Sequence, residues 1–155
     1  MNAAQIVIML RNKSWQLTTA ESCTGGLVAA AITNVSGSSE VFDRGFVTYS
    51  NAAKTEMLGV PANMIETHGA VSAIVAGLMA KGALAHSTAH VSVAVTGIAG
   101  PGGGSLLKPV GLVHFACATH NDTIYVERRF GDLGRAAIRG EAVKQALALI
   151  AQACG

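Results

Sequence analysis

The sequence predicts an α/β fold: a three-layer α/β/α sandwich around a mixed five-stranded sheet, with one strand, the fourth, antiparallel. Three observations lead there. Three strand-like runs, Gln16–Ala20, Val41–Tyr49 and His90–Thr96, are separated by helical segments, so they can lie parallel. Two further runs, Gly111–Thr119 and Thr123–Phe130, follow with no helix before or between them. The stretch that joins them to the third strand, Gly97-Ile98-Ala99-Gly100-Pro101-Gly102-Gly103-Gly104, cannot be helical. Neighbouring strands without a crossover must be antiparallel, so strand four runs against the others.

The elements follow in order. Ala3–Arg11 reads as a helix with an apolar face. The first strand runs into Glu21-Ser22-Cys23-Thr24-Gly25-Gly26, and a helix follows over Leu27–Val35. Ser36-Gly37-Ser38-Ser39 is a loop signal. The second strand carries Phe42, Phe46, Val47 and Tyr49 in an alternating pattern. Asn51–Leu58 is a short helix that Gly59-Val60-Pro61 stops. Ser72 is an N-cap for a helix reaching Ala85. His120-Asn121-Asp122 forms a hairpin turn between strands four and five, and an amphipathic helix over Leu133–Cys154 closes the chain.

The chain of 155 residues suits one domain over 1–155. A chain of this length buries roughly 68–70% of its unfolded surface. Half of its residues are hydrophobic and 13% are charged, against the usual ~25%. A surface so poor in charge points to cover by another subunit, hence a homo-oligomer, at least a dimer. A net charge of +2 without a basic run argues against a nucleic-acid partner. No apolar stretch reaches the ~18–20 clean residues of a membrane span, and the N-terminus lacks a signal peptide's pattern. Cys23, Cys117 and Cys154 are odd in number and lack metal-ligand spacing, which fits a reducing, cytoplasmic compartment and no metal.

Ligands in such sheets bind beyond the carboxyl ends of the parallel strands. Three polar segments fall there: Glu21–Gly26, then Tyr49-Ser50-Asn51 with Lys54, then Thr96-Gly97 with the glycine loop. Ser22 offers a nucleophile at a strand–turn–helix junction, and free amides at a helix start can stabilise an oxyanion. The plainer alternative is that Ser22 and Thr24 only cap the helix. His68, His86, His90, His114 and His120 all border elements, lie within a strand or sit in turns, so none is well placed as a base. Lys54 remains, since serine–lysine pairs replace Ser-His-Asp elsewhere and burial lowers a lysine's pKa. A solvated helix lysine is the alternative. The glycine loop is either a hairpin connection or a ligand-binding lid. Arg128, Arg129, Arg135 and Arg139 are either a solvated face or a phosphate site.

The segments AESCTGG, SGSSEVFDRGFVTYSNAAKTEMLGV, GAVS and AVTGIAGPGGGSLLKPVG, taken together, resemble the CinA C-terminal domain family. The match runs in order from about residue 3 to residue 152 and its motifs are long. Stand-alone members of that family are nicotinamide-nucleotide amidohydrolases. The resemblance implies the α/β/α fold, and hydrolysis of nicotinamide mononucleotide (NMN) to nicotinic acid mononucleotide and ammonia, without a cofactor. It places the nucleophile on Ser22, the lysine on Lys54 and the tyrosine on Tyr49. Substrate contacts are expected from Thr24, Gly25, Gly26, Thr96, Gly97 and Gly100. The family's Gly-Asp-Arg ahead of the last helix is altered here, with Leu133-Gly134 between Asp132 and Arg135. Arg139 and then Arg135 are the expected phosphate contacts. A nucleotide-binding module without catalysis is the alternative function, and ammonia release from NMN separates the two.

Overall fold

The computed structural model describes residues 1–155 and bears out the sandwich. Five strands, β1 (Leu17–Glu21), β2 (Phe42–Val47), β3 (Val91–Gly97), β4 (Leu112–Thr119) and β5 (Thr123–Arg129), form one sheet in the order β2-β1-β3-β4-β5. β1 pairs parallel with both β2 and β3. β4 pairs antiparallel with β3 and with β5, so it alone is reversed. The central strands β1 and β3 are buried almost throughout, as expected for strands covered on both faces.

Six helices supply the outer layers: α1 (Ala3–Lys13), α2 (Leu27–Thr33), α3 (Asn51–Leu58), α4 (Ala62–His68), α5 (Ala73–Ala85) and α6 (Arg135–Cys154). Residues of α1, α2 and α6 pack with Leu17, Val93 and Phe115 in one apolar core. Residues of α3, α4 and α5 pack on the opposite face, where the sheet presents Ala20, Ala94, Ala116 and Ala118. These small side chains let α5 lie close to the strands. Ser72 caps α5 as expected, its Oγ accepting from the Val75 amide.

Several boundaries differ from the sequence reading, each for a local reason. α4 was not expected. The same Pro61 that cannot continue α3 has φ −60°, which suits the entry to a new helix, and it stands at the N-cap of α4. The last helix starts at Arg135, because Gly131 and Gly134 adopt positive φ and hold Asp132-Leu133 in a loop. β2 ends at Val47, which leaves Thr48 and Tyr49 in the connection to α3. β1 extends to Glu21, so the residue before Ser22 is a strand residue with a buried side chain.

Candidate active site

The turns after β1, β2 and β3 meet at one end of the sheet around a cavity of about 260 Å³. Ser22 and Cys23 line it from the first turn, Tyr49 and Lys54 from the second, and Thr96–Gly100 from the third. Arg135, at the start of α6, completes the wall. A larger hollow of about 650 Å³ lies at the opposite end of the sheet, around His120 and Asp122, and is lined by no serine or cysteine.

The alternative of Ser22 as a helix cap does not hold. Helix α2 is capped by Glu21, whose side chain reaches forward from the end of β1. Glu21 Oε1 accepts from the Val28 amide at 2.8 Å and from Thr24 Oγ1 at 2.7 Å. Its Oε2 accepts from the Ala29 amide at 3.1 Å. One buried carboxylate thus satisfies two of the free amides of the first helical turn, where the helix dipole also favours a negative charge. Ser22 is left for another partner. Gly25 and Gly26, at φ 56° and 106°, make the sharp reversal that the turn needs.

That partner is Lys54. Its Nζ lies 2.9 Å from Ser22 Oγ, 2.9 Å from the Thr48 carbonyl and 3.3 Å from the Tyr49 carbonyl. Lys54 sits one turn before Leu58 on the inward face of α3, a position an ordinary helix gives to an apolar residue, and it is 1% exposed. No carboxylate pairs with it. Burial therefore pushes its pKa below the ordinary 10.5 of lysine, with the nearby Cys23 opposing more weakly. The solvated alternative for Lys54 is excluded by this placement.

Cys23 behaves as a small apolar residue. It is buried, and burial raises its thiol pKa to about 11, so the thiolate is scarce at neutral pH. Its backbone is more informative. Arg139 Nε donates to the Cys23 carbonyl at 3.0 Å, and Nη2 donates to the Thr24 carbonyl at 3.2 Å. The amides of Cys23 and Thr24 have no acceptor within the protein.

The expected substrate-contact residues divide into two sets. Thr96, Gly97, Gly100 and Arg135 line the cavity. Thr96 Oγ1 donates to the Ala70 carbonyl at 2.9 Å, tying the end of β3 to the segment before α5. Gly97 is required by packing, since a Cβ there would stand 2.7 Å from Val113 Cγ2. Arg135 donates to the Gly100 carbonyl at 2.9 Å and to the Tyr49 hydroxyl at 2.8 Å, bridging two of the three turns. Thr24, Gly25, Gly26 and Arg139 do not line the cavity. Thr24 is fully buried with its hydroxyl on Glu21. Glu21 and Thr48 were not singled out from the sequence. An acidic residue closing a buried strand otherwise free of charge was the available signal for Glu21, whereas the Thr48 carbonyl carries none.

No helix is long and apolar enough to cross a membrane, and no three His, Cys, Asp or Glu side chains are grouped to hold a metal.

Comparison with known proteins follows the same lines. A family model described as the CinA C-terminal domain matches residues 1–154. A protein of Enterobacter agglomerans named nicotinamide-nucleotide amidohydrolase PncC is 50% identical over 90% of this chain and 85% of its own length. A CinA-like protein of Synechococcus sp. (strain RCC307) is 50% identical over 96% of this chain, which spans only 36% of that longer protein. Among solved structures, the competence/damage inducible protein CihA from Agrobacterium tumefaciens superposes with a TM-score of 0.95 at 52% identity, covering 97% of this chain and 92% of that one. From its sequence motifs to its backbone, the chain belongs to the CinA C-terminal domain family.

Proposed function

We propose that this chain is an amidohydrolase that converts NMN to nicotinic acid mononucleotide and ammonia, with Ser22 as nucleophile and Lys54 as general base. The observation that carries the reading is the buried 2.9 Å contact between Lys54 Nζ and Ser22 Oγ. The name of the Enterobacter agglomerans relative supports the substrate.

The partners of Lys54 explain how it can act as a base. As an ammonium, Nζ donates to Ser22 and to the two carbonyls. When it loses a proton, two N–H groups remain, and the carbonyls of Thr48 and Tyr49, being acceptors only, hold both of them. The lone pair then faces the Ser22 hydroxyl. NMN enters with a cationic pyridinium, which withdraws electrons from its carboxamide and keeps Lys54 neutral by like-charge repulsion.

Ser22 Oγ attacks the carboxamide carbon as its proton passes to Lys54 Nζ. The resulting oxyanion is stabilised by the Cys23 amide, which has no backbone acceptor and belongs to a residue that lines the cavity. The Lys54 ammonium returns the proton to the departing nitrogen, the C–N bond breaks, and ammonia leaves an ester on Ser22. Water then adds to the ester carbonyl with Lys54 again accepting the proton. Ser22 Oγ is expelled and reprotonated, and nicotinic acid mononucleotide is released.

Of the two arginines, Arg135 is the better phosphate contact. It lines the cavity, and its present partners, a carbonyl and a phenol, leave its charge uncompensated. A phosphate can replace both with stronger charge-assisted bonds. Such remote binding energy positions the amide, so NMN should be a far better substrate than nicotinamide riboside, with free nicotinamide inert.

Ammonia release from NMN is the primary test. Binding without ammonia would instead make the chain a nucleotide-binding module. We further propose that residues 1–155 form one domain acting in the cytoplasm as at least a dimer. Leu27, Val47, Tyr49 and Leu133 are exposed apolar or aromatic residues on a surface already poor in charge. A monomer by light scattering at micromolar concentration would refute the oligomer.

A further inference from the structure

We infer that Asn51 is a specificity-determining residue that reads the nitrogen of the substrate's carboxamide, its side-chain oxygen accepting an N–H that an ester lacks. The inference rests on the proposed Ser22 chemistry. Asn51 opens α3 and lines the cavity together with Ser22, Tyr49 and Lys54. Of the oxygen- and nitrogen-bearing side chains there, that of Asn51 alone has no partner in the chain. Ser22 is bonded to Lys54, Tyr49 to Arg135, Thr96 to the Ala70 carbonyl and Arg135 also to the Gly100 carbonyl. Asn51 is not the cap of its helix either. That place belongs to Ser50, whose Oγ accepts from the Ala53 amide at 3.0 Å. A primary amide carries an oxygen acceptor and two N–H donors, and all of these are left for a ligand.

The helix sets where that amide stands. Asn51 and Lys54 are three residues apart, so they share a face of α3, with about 5–6 Å between their Cβ atoms. Helical side chains lean toward the N-terminus, which carries Lys54 Nζ back along that face. Nζ accordingly bonds the carbonyls of Thr48 and Tyr49, just ahead of the helix. It lies beside the first turn, where Asn51 stands. Attack by Ser22 Oγ, 2.9 Å from Nζ, brings the carboxamide carbon to the same place. The carboxamide nitrogen has to face Nζ, because it takes the proton that Lys54 returns, and so it comes within reach of Asn51. An N–H held by Asn51 Oδ1 leaves the nitrogen lone pair free for that proton. The bond strengthens as the nitrogen gains positive charge, so it lowers the barrier to cleavage rather than only tightening binding.

The test compares the unaltered chain, Asn51→Ala and Asn51→Asp on two substrates. One is NMN. The other is the methyl ester of nicotinic acid mononucleotide, which keeps the pyridinium, ribose and phosphate but has no N–H at the reacting group. Both would leave the same ester on Ser22, so kcat/KM, which reports the steps up to that ester, is the quantity compared. The expected result for Asn51→Ala is a fall of about tenfold or more in the amide-to-ester ratio of kcat/KM, the scale of one hydrogen bond. Asn51→Asp keeps an acceptor on a side chain of the same length and should recover part of that ratio. A ratio as low as that of Asn51→Ala counts against the inference. Alanine at the exposed first position of α3 leaves the Ser50 cap in place, and the ratio does not depend on the folded fraction. If amide and ester rates fall together, Asn51 serves the fold or the ribose, and the inference is overturned, as it is if neither rate changes. If the unaltered chain cleaves neither compound, the amidohydrolase reading fails alone, and titration calorimetry decides this one. Asn51→Ala should then weaken binding of NMN relative to the ester, and an equal change in both overturns the inference. A chain that neither cleaves nor binds NMN refutes both.

Discussion

The turns after β1 and β3 lie side by side at the same end of the sheet and are built in opposite ways. In the β1 turn, Ser22, Cys23 and Thr24 are all buried, and Glu21 and Arg139 hold the turn from two sides. The loop after β3 is held mainly at its base. Ile98 and Gly111 exchange backbone bonds with their neighbours, and Lys108 Nζ reaches the His68 carbonyl at 2.6 Å. Its tip carries Leu106 and Leu107 at 96% and 81% exposure. The difference matches two demands of the proposed chemistry. A nucleophile has to sit within a few tenths of an ångström of its reacting geometry. A loop through which a nucleotide enters and leaves has to be cheap to move.

The largest effects should come from breaking the rigid side. Ser22→Ala is expected to lose at least ~10³-fold in kcat, the scale of removing a member of a catalytic triad. Cys23→Ala should retain most activity, because burial raises its thiol pKa to about 11 and the side chain packs with the core. A dead Cys23→Ala with an active Ser22→Ala would reverse the assignment.

Lys54 comes next. Lys54→Met should fold and be nearly inactive, and near-normal kcat/KM would require another base. The pH dependence has a definite sign. In the proposed mechanism the active form is the neutral amine, so kcat/KM should rise with pH through the pKa of Lys54 in the free enzyme. Because burial lowers that pKa, the midpoint of the rise should fall below lysine's ordinary 10.5. Activity that falls across this limb would exclude Lys54 as the base.

Glu21→Gln tests the cap. The amide would turn an N–H toward either the Val28 or the Ala29 N–H, leaving a buried donor unpaired. We expect a loss of about 1–3 kcal/mol in stability, read by denaturant unfolding. A stability equal to that of the unaltered protein would mean the turn does not depend on this carboxylate.

The smallest effect should come from the exposed tip of the loop after β3. Leu106→Ala and Leu107→Ala remove side chains that touch little in this chain, so stability should change by no more than about 0.5 kcal/mol. If the loop covers bound nucleotide, KM should rise while kcat changes little. A stability loss on the scale of Glu21→Gln would mean the leucines are buried against another subunit.

The reversal of β4 and the convergence of three turns were legible in the sequence, whereas Ser22 and Lys54 each kept a plainer alternative there. Strand directions follow from the presence or absence of a helix between strands, and that is a local property. The end of each parallel strand then lies on one side of the sheet by necessity, which brings Ser22, Tyr49, Lys54 and Thr96 to one region. Motif resemblance added the roles.

Tertiary structure decided what each side chain in that region touches. A lysine on a short helix reads as solvated until packing shows it 1% exposed against two carbonyls. Ser22 and Thr24 read as helix caps until Glu21, from the preceding strand, is seen to occupy that place. Arg135 and Arg139 stand one helical turn apart, yet one bridges loops at the cavity and the other grips backbone of the nucleophile turn. These outcomes depend on backbone carbonyls and amides, which every residue carries alike. A sequence records side chains, and only the folded chain shows which main-chain groups lie within reach of them.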